Sequence, residues 1–265
     1  MTKNELSIFA YIIEHIDENG IYQGGALIDD PTPSLPRPLG SDDAYIYTAE
    51  MPPDLPGAEA VCSMLLAYAD EPSAAAKAVL EEALTKILCI SICDPLVELL
   101  SEDEVPEALL ALAEDWLYTA HKRELVKYAI VLLAVFGLET LRREHSENLW
   151  DDLVDLCRCE EFTFFLTFAY RINNIAPQEE LWELVRSTKG WGRIFTLYDL
   201  ECTAEEQEFW LLRHGCEIEI DYAPVCLVVM RKGQLLHHLH QQQLDYKTYR
   251  GCLLIINNFV MMLDR

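Results

Sequence analysis

The sequence predicts an all-α chain, a solenoid of helix pairs preceded by an irregular N-terminal loop region. Three observations carry this. Apolar residues recur at helical spacing from residue 57 to the C-terminal end, with breaks at Pro72, Pro95, Pro106, Gly137, Pro177, Gly190, Gly215 and Gly233. Trp116, Trp150, Trp182 and Trp210 follow one another at intervals of 34, 32 and 28 residues. Each lies in a helix pattern with one polar face and is followed by a more apolar one.

The first element is an amphipathic helix over 4–18, with Leu6, Phe9, Ile13 and Ile16 on one stripe and Asn19-Gly20 as its stop. Residues 20–57 are dense in Pro, Gly and Asp, so no helix can run through them. Their aromatic residues favour an ordered loop laid over the first helices, with a short strand at Tyr45–Thr48. This sets 1–57 apart from a helical repeat domain at 58–265.

Helices are expected at 57–70, 73–93, 95–101, 105–118, 121–138, 147–158, 160–174, 178–187, 190–200, 203–214, 218–231, 233–242 and 245–262. Thr203 and Glu206 have the spacing of a capping box. The run HKRELVKYAIVLLAVFG at 121–137 is charged at its start and then apolar on every side. A helix of that kind must be sandwiched between neighbours in a stack.

The segment VPEALLALAEDWLYTAHKRELVKYAIVLLAVFG, residues 105–137, resembles a HEAT-type repeat. It has a first helix, a short turn, a basic residue, then an apolar second helix with small residues near its middle. The resemblance to HEAT and armadillo-like scaffolds covers about 73–262 and implies a right-handed α-α superhelix. KGWGRIFTLYDLECTAEEQEFWLLRHGC is also similar to segments of uncharacterised bacterial helical-repeat proteins. In HEAT-like proteins the second helices line a concave surface. The resemblance therefore implies partner-binding roles for Lys127, Arg171, Trp191 and Arg193, three scarce cations and a large aromatic.

The 265 residues include 45 acids and 20 bases, a net charge of −25, with 17 acids and 4 bases in the first 100 residues. A field of this sign disfavours nucleic acid and favours a basic protein or peptide. Nine cysteines show no CxxC pair and sit mostly among apolar neighbours, as core thiols of a reducing, cytoplasmic compartment do. No leader or membrane span is expected.

His237, His238 and His240 form the sharpest local motif, but their spacing is not that of a helical zinc pair, so no metal is expected. Asp29-Asp30, Asp42-Asp43, Asp151-Asp152, Glu160-Glu161 and Glu179-Glu180 are too many for one to stand out as a catalytic dyad. No phosphate loop or nucleophile motif is present, and no cofactor is expected. The sequence therefore points to a non-enzymatic interaction scaffold. Its alternatives are an immunity or inhibitor-type protein that blocks a basic partner, and a small-molecule enzyme with its site on the 20–57 loop.

Overall fold

The structure is a computed structural model that describes residues 6–29, 37–102, 104–144, 147–240 and 244–263. Residues 4–5, 30–36 and 241–242, which belong to the expected first helix, the loop and the 233–242 helix, lie outside the described residues. Among the described residues the chain is all-helical, with sixteen α-helices and no strand beyond an isolated bridge between Ile16 and Tyr22.

The chain divides into two compact units, Met1–Ile175 and Ala176–Arg265. The segment expected to pack on the array, 1–57, falls in the first unit and is bonded to it. There Ile8 N–H donates to Ala120 O at 2.9 Å, and the Asp29 carboxylate accepts the backbone N–H of Arg123 at 2.9 Å.

The first unit holds α1 (Ile8–Ile13), α2 (Ser41–Thr48), α3 (Leu55–Asp70), α4 (Ala74–Leu84), α5 (Cys93–Leu100), α6 (Glu107–Thr119), α7 (Arg123–Phe136), α8 (Leu138–Glu144), α9 (Glu147–Leu156) and α10 (Thr163–Ile172). Ser7, Asp54 and Ser73 cap α1, α3 and α4 by accepting the N–H three residues on. The strand expected at Tyr45–Thr48 is instead part of α2. Asp42 and Asp43 stand in its first turn, where carboxylates favour a helix start, and Asp43 is anchored on α7. Local strand preference yields to that tertiary contact.

Helix α7 is the fully apolar helix of the sequence. Every residue from Glu124 to Ala134 is buried, and the helix packs against α4, α5, α6, α8 and α10. Each enclosed Leu, Ile or Val contributes roughly 1.5–3 kcal/mol. Gly137, at φ 92°, ends the helix. Asn173 clamps the turn: its Oδ1 accepts Leu138 N–H at 3.0 Å, and its Nδ2 donates to Ala134 O and Ala169 O at 2.9 Å.

The second unit holds α11 (Gln178–Ser187), α12 (Trp191–Asp199), α13 (Glu205–His214), α14 (Val225–Lys232), α15 (Leu235–Leu239) and α16 (Tyr246–Leu263). Helix α11 packs on α12, and α13 packs on both α14 and α16. Helix α14 starts seven residues later than expected, because Pro224 is its N-cap and 217–224 stay irregular. Ala204, not Thr203, caps α13; Thr203 N–H instead donates to the Gln207 side chain at 2.9 Å. At Gly251, α16 lies against the α13 backbone so closely that a Cβ would stand 2.8 Å from Arg213 Cα.

Candidate functional site

Lys127 is 1% exposed, inside the apolar shell of α7. A buried ammonium demands anionic partners, and the fold brings three from separate elements. Its Nζ lies 2.7 Å from Asp43 Oδ2 of α2, 2.9 Å from Glu124 Oε1 one turn back, and 2.8 Å from Glu161 Oε1 just before α10. The outer carboxylate oxygens are tied down in turn. Glu124 Oε2 accepts Cys89 N–H, and Glu161 Oε2 accepts Gly40 N–H, both at 2.8 Å. The Arg123 guanidinium sits 3.4 Å from Glu161 and forms a fork on Asp29 at 2.9 and 3.1 Å.

Electrostatics follow from the count of charges. Burial alone would strip Lys127 of its proton, but the three carboxylates hold its pKa well above the ordinary lysine value. The amine is therefore fully protonated and cannot act as a nucleophile. Burial would also raise Glu161, yet Lys127 and Arg123 hold its carboxyl below the usual range. Asp43 goes the other way, pushed up to about 7 by burial and by the Glu161 and Glu124 charges, against the pull of Lys127. Its Oδ1 is enclosed with no hydrogen-bond partner. Closed off on every side, this cluster locks α2, α7 and the approach to α10 together.

Of the four residues expected to face a partner, Lys127 is thus enclosed. Arg193 is also buried: Nε donates to Thr188 O at 2.7 Å and Nη1 to Glu217 O at 2.9 Å and His214 O at 3.2 Å, with the guanidinium over the Trp210 ring. Both correct the expected surface role, since backbone carbonyls and carboxylates of the chain itself engage their cations. Arg171 is exposed, its guanidinium 5.6 Å from the Phe164 ring and 6.0 Å from the Tyr47 ring. Trp191 is half-buried, its ring 5.0 Å from Tyr222 and 6.2 Å from Phe195.

The histidine motif splits. His238 is fully buried, with Nε2 2.8 Å from Glu208 Oε2, while His237 and His240 are exposed. Among the described residues, no group of three or more His, Cys, Asp or Glu side chains is placed to hold a metal ion. All nine cysteines are free thiols, and burial pushes every one of them up, so none is a ready thiolate nucleophile. No helix among the described residues is long and apolar enough to cross a membrane.

Clefts among the described residues open to solvent in each unit. In the second unit, one of about 690 Å³ is lined by Tyr198, Cys202, Leu227, Arg231 and Lys232. Lys232 there donates to the carbonyls of Tyr198 and Leu200 at the end of α12. In the first unit, one of about 590 Å³ lies where the start of α6, the end of α7 and α8 converge. Val105, Leu110, Val135, Phe136, Thr140 and Leu141 line it, with Glu104 and Glu107 exposed beside them and no Lys or Arg among the described lining residues. The sequence reading missed both acids, which bracket the Pro106 break between α5 and α6. It also missed Asp43, Glu124 and Glu161 as partners of Lys127, although a lone cation inside an apolar run signals that buried carboxylates must meet it.

Comparison with family models, with curated proteins and with solved structures gives no match.

Proposed function

We propose that the protein is a non-enzymatic interaction scaffold that holds a basic protein or peptide. The observation that carries this is the cleft of the first unit, where Val105, Leu110, Val135, Phe136 and Leu141 meet two exposed carboxylates and Thr140, with no Lys or Arg among the described lining residues. Such a site suits an apolar anchor side chain flanked by Lys or Arg, and the net charge of −25 steers cations towards it. The strongest buried constellation supports the same reading, since Lys127 is charged, enclosed and bound by three carboxylates rather than presented for chemistry. The HEAT-like superhelix remains part of the proposal. Its support is the packing of α6 on α7 and of α11 on α12, each pair joined by a short turn.

The test is fluorescence anisotropy with a labelled peptide of alternating Leu and Lys. Binding should weaken as salt rises and fall at least about tenfold for Glu104→Lys/Glu107→Lys, whose substitutions lie on the surface. Equal binding of a Leu/Glu peptide, or no change in the double variant, overturns the proposal.

A further inference from the structure

Helix α16 carries several of the exposed large apolar side chains of the second unit. Its inner face, Thr248, Gly251, Cys252 and Ile255, is buried against the unit. Its outer face carries Tyr246, Tyr249, Leu253, Ile256, Val260 and Leu263, each between 41% and 77% exposed. These positions advance by 3, 4, 3, 4 and 3 residues, the spacing of a coiled-coil seam. A globular helix needs one apolar stripe to dock on its own domain; α16 has a second.

We propose that this outer face is the contact between two copies of the chain, paired with the α16 helices antiparallel. Three observations select a second copy as the occupant. First, the spacing reads the same in both directions, so an antiparallel partner places Tyr246 on Leu263, Tyr249 on Val260 and Leu253 on Ile256 of the second copy in a single register. One twofold axis then builds a closed, isologous interface. Second, charge permits contact here: the chain carries −25, which drives two copies apart, yet residues 246–263 contain no acid. Lys247 and Arg250 lie near one end of the helix, so an antiparallel pair separates them where a parallel pair would set them side by side. Third, the size is sufficient. The six side chains of the seam expose roughly 100 Å² each, so about 600 Å² per copy is available, which reaches the lower end of the ~1,200–2,000 Å² total of a specific interface.

The experiment is sedimentation velocity on the full chain across the micromolar range. The wild type should dimerise, and more strongly at ~0.5 M than at ~0.05 M salt, because salt screens the repulsion between acidic copies. This is opposite in sign to the salt effect expected for a basic peptide in the first-unit cleft, so the two proposals fail separately. Leu253→Lys and Ile256→Glu, each exposed and checked for retained helix by circular dichroism, should each weaken dimerisation at least about thirtyfold. Mixing the two variants should restore it, since the introduced ammonium of one chain meets the introduced carboxylate of the other only in the antiparallel register. A monomer at every concentration, or a dimer indifferent to both substitutions, overturns the interface. Failure of the mixture to recover association overturns the antiparallel register.

Discussion

Replacing Lys127 by Met removes the one ammonium shared by Asp43, Glu124 and Glu161 and keeps nearly the same side-chain volume. The structure places three carboxylate oxygens at 2.7, 2.9 and 2.8 Å from that nitrogen. Without it, three acids face one another inside protein, helped by Arg123 at the Glu161 edge and by the N–H groups of Cys89 and Gly40. Breaking a buried ion pair by removing one partner costs about 3–5 kcal/mol, and a cation shared by three carboxylates belongs at the upper end. For a urea slope of about 2 kcal/mol per molar, a loss of ~4 kcal/mol lowers the unfolding midpoint of this unit by about 2 M. The assay is urea titration followed by the fluorescence of Trp116 and Trp150, with the tryptophans of the second unit replaced by Phe as background. Acid should rescue the variant: the stranded carboxylates regain protons in the folded state, so the deficit should shrink from about pH 8 to about pH 5. A loss below ~1 kcal/mol, or a deficit independent of pH, would refute the claim that this lysine neutralises the cluster.

Further outcomes follow from individual contacts. Asp43 has a folded-state value of about 7, above its unfolded 3.8, so the folded chain binds the extra proton between those values. Its contribution to stability is therefore largest in acid and is lost as pH rises to about 7. Asp43→Asn should flatten that slope in urea midpoints measured across this window. Asn173→Leu strips three hydrogen bonds from the α7–α8 turn and should destabilise the first unit by about 2–3 kcal/mol in the same titration. Arg193→Met leaves the carbonyls of Thr188 and Glu217 without their donor and should cost the second unit about 2–4 kcal/mol, read by thermal melting. Gly251→Ala forces a Cβ into the α13 backbone and should lower the melting temperature of the second unit markedly, where an Ala on an open helix would raise it.

The periodic part of the fold was legible in the sequence because burial writes a 3.6-residue pattern into it. Helix α7 could be read as enclosed from its composition alone, and the breaks at Pro72, Pro106, Gly137, Pro177, Gly190, Gly215 and Gly233 separate helices. Those at 85–92, 120–122, 157–162 and 200–204 carry no Pro, Gly or Asn, so the helix expected at 73–93 ends at Leu84 and α8 was not expected. What escaped was set by contacts distant in sequence. Helix α2 stands where local preference favours a strand, since Asp43 must reach Lys127 some 84 positions away. The isolated cations Lys127 and Arg193 looked like surface features in an acidic chain, yet each is consumed inside its own unit. Glu104 and Glu107 were two acids among 45, distinguished only by the cleft that the end of α7 and Thr140 and Leu141 of α8 form beside them.

The central claim is that the acidic cleft of the first unit receives a basic partner, and hydrogen exchange tests it most directly. The full chain should be compared with and without a saturating Leu/Lys peptide at low salt. Protection is expected at the start of α6 and across the α7–α8 turn, residues 104–110 and 135–141, and should vanish in Glu104→Lys/Glu107→Lys. Protection confined to other segments, or no protection under conditions where the peptide binds, would contradict the account.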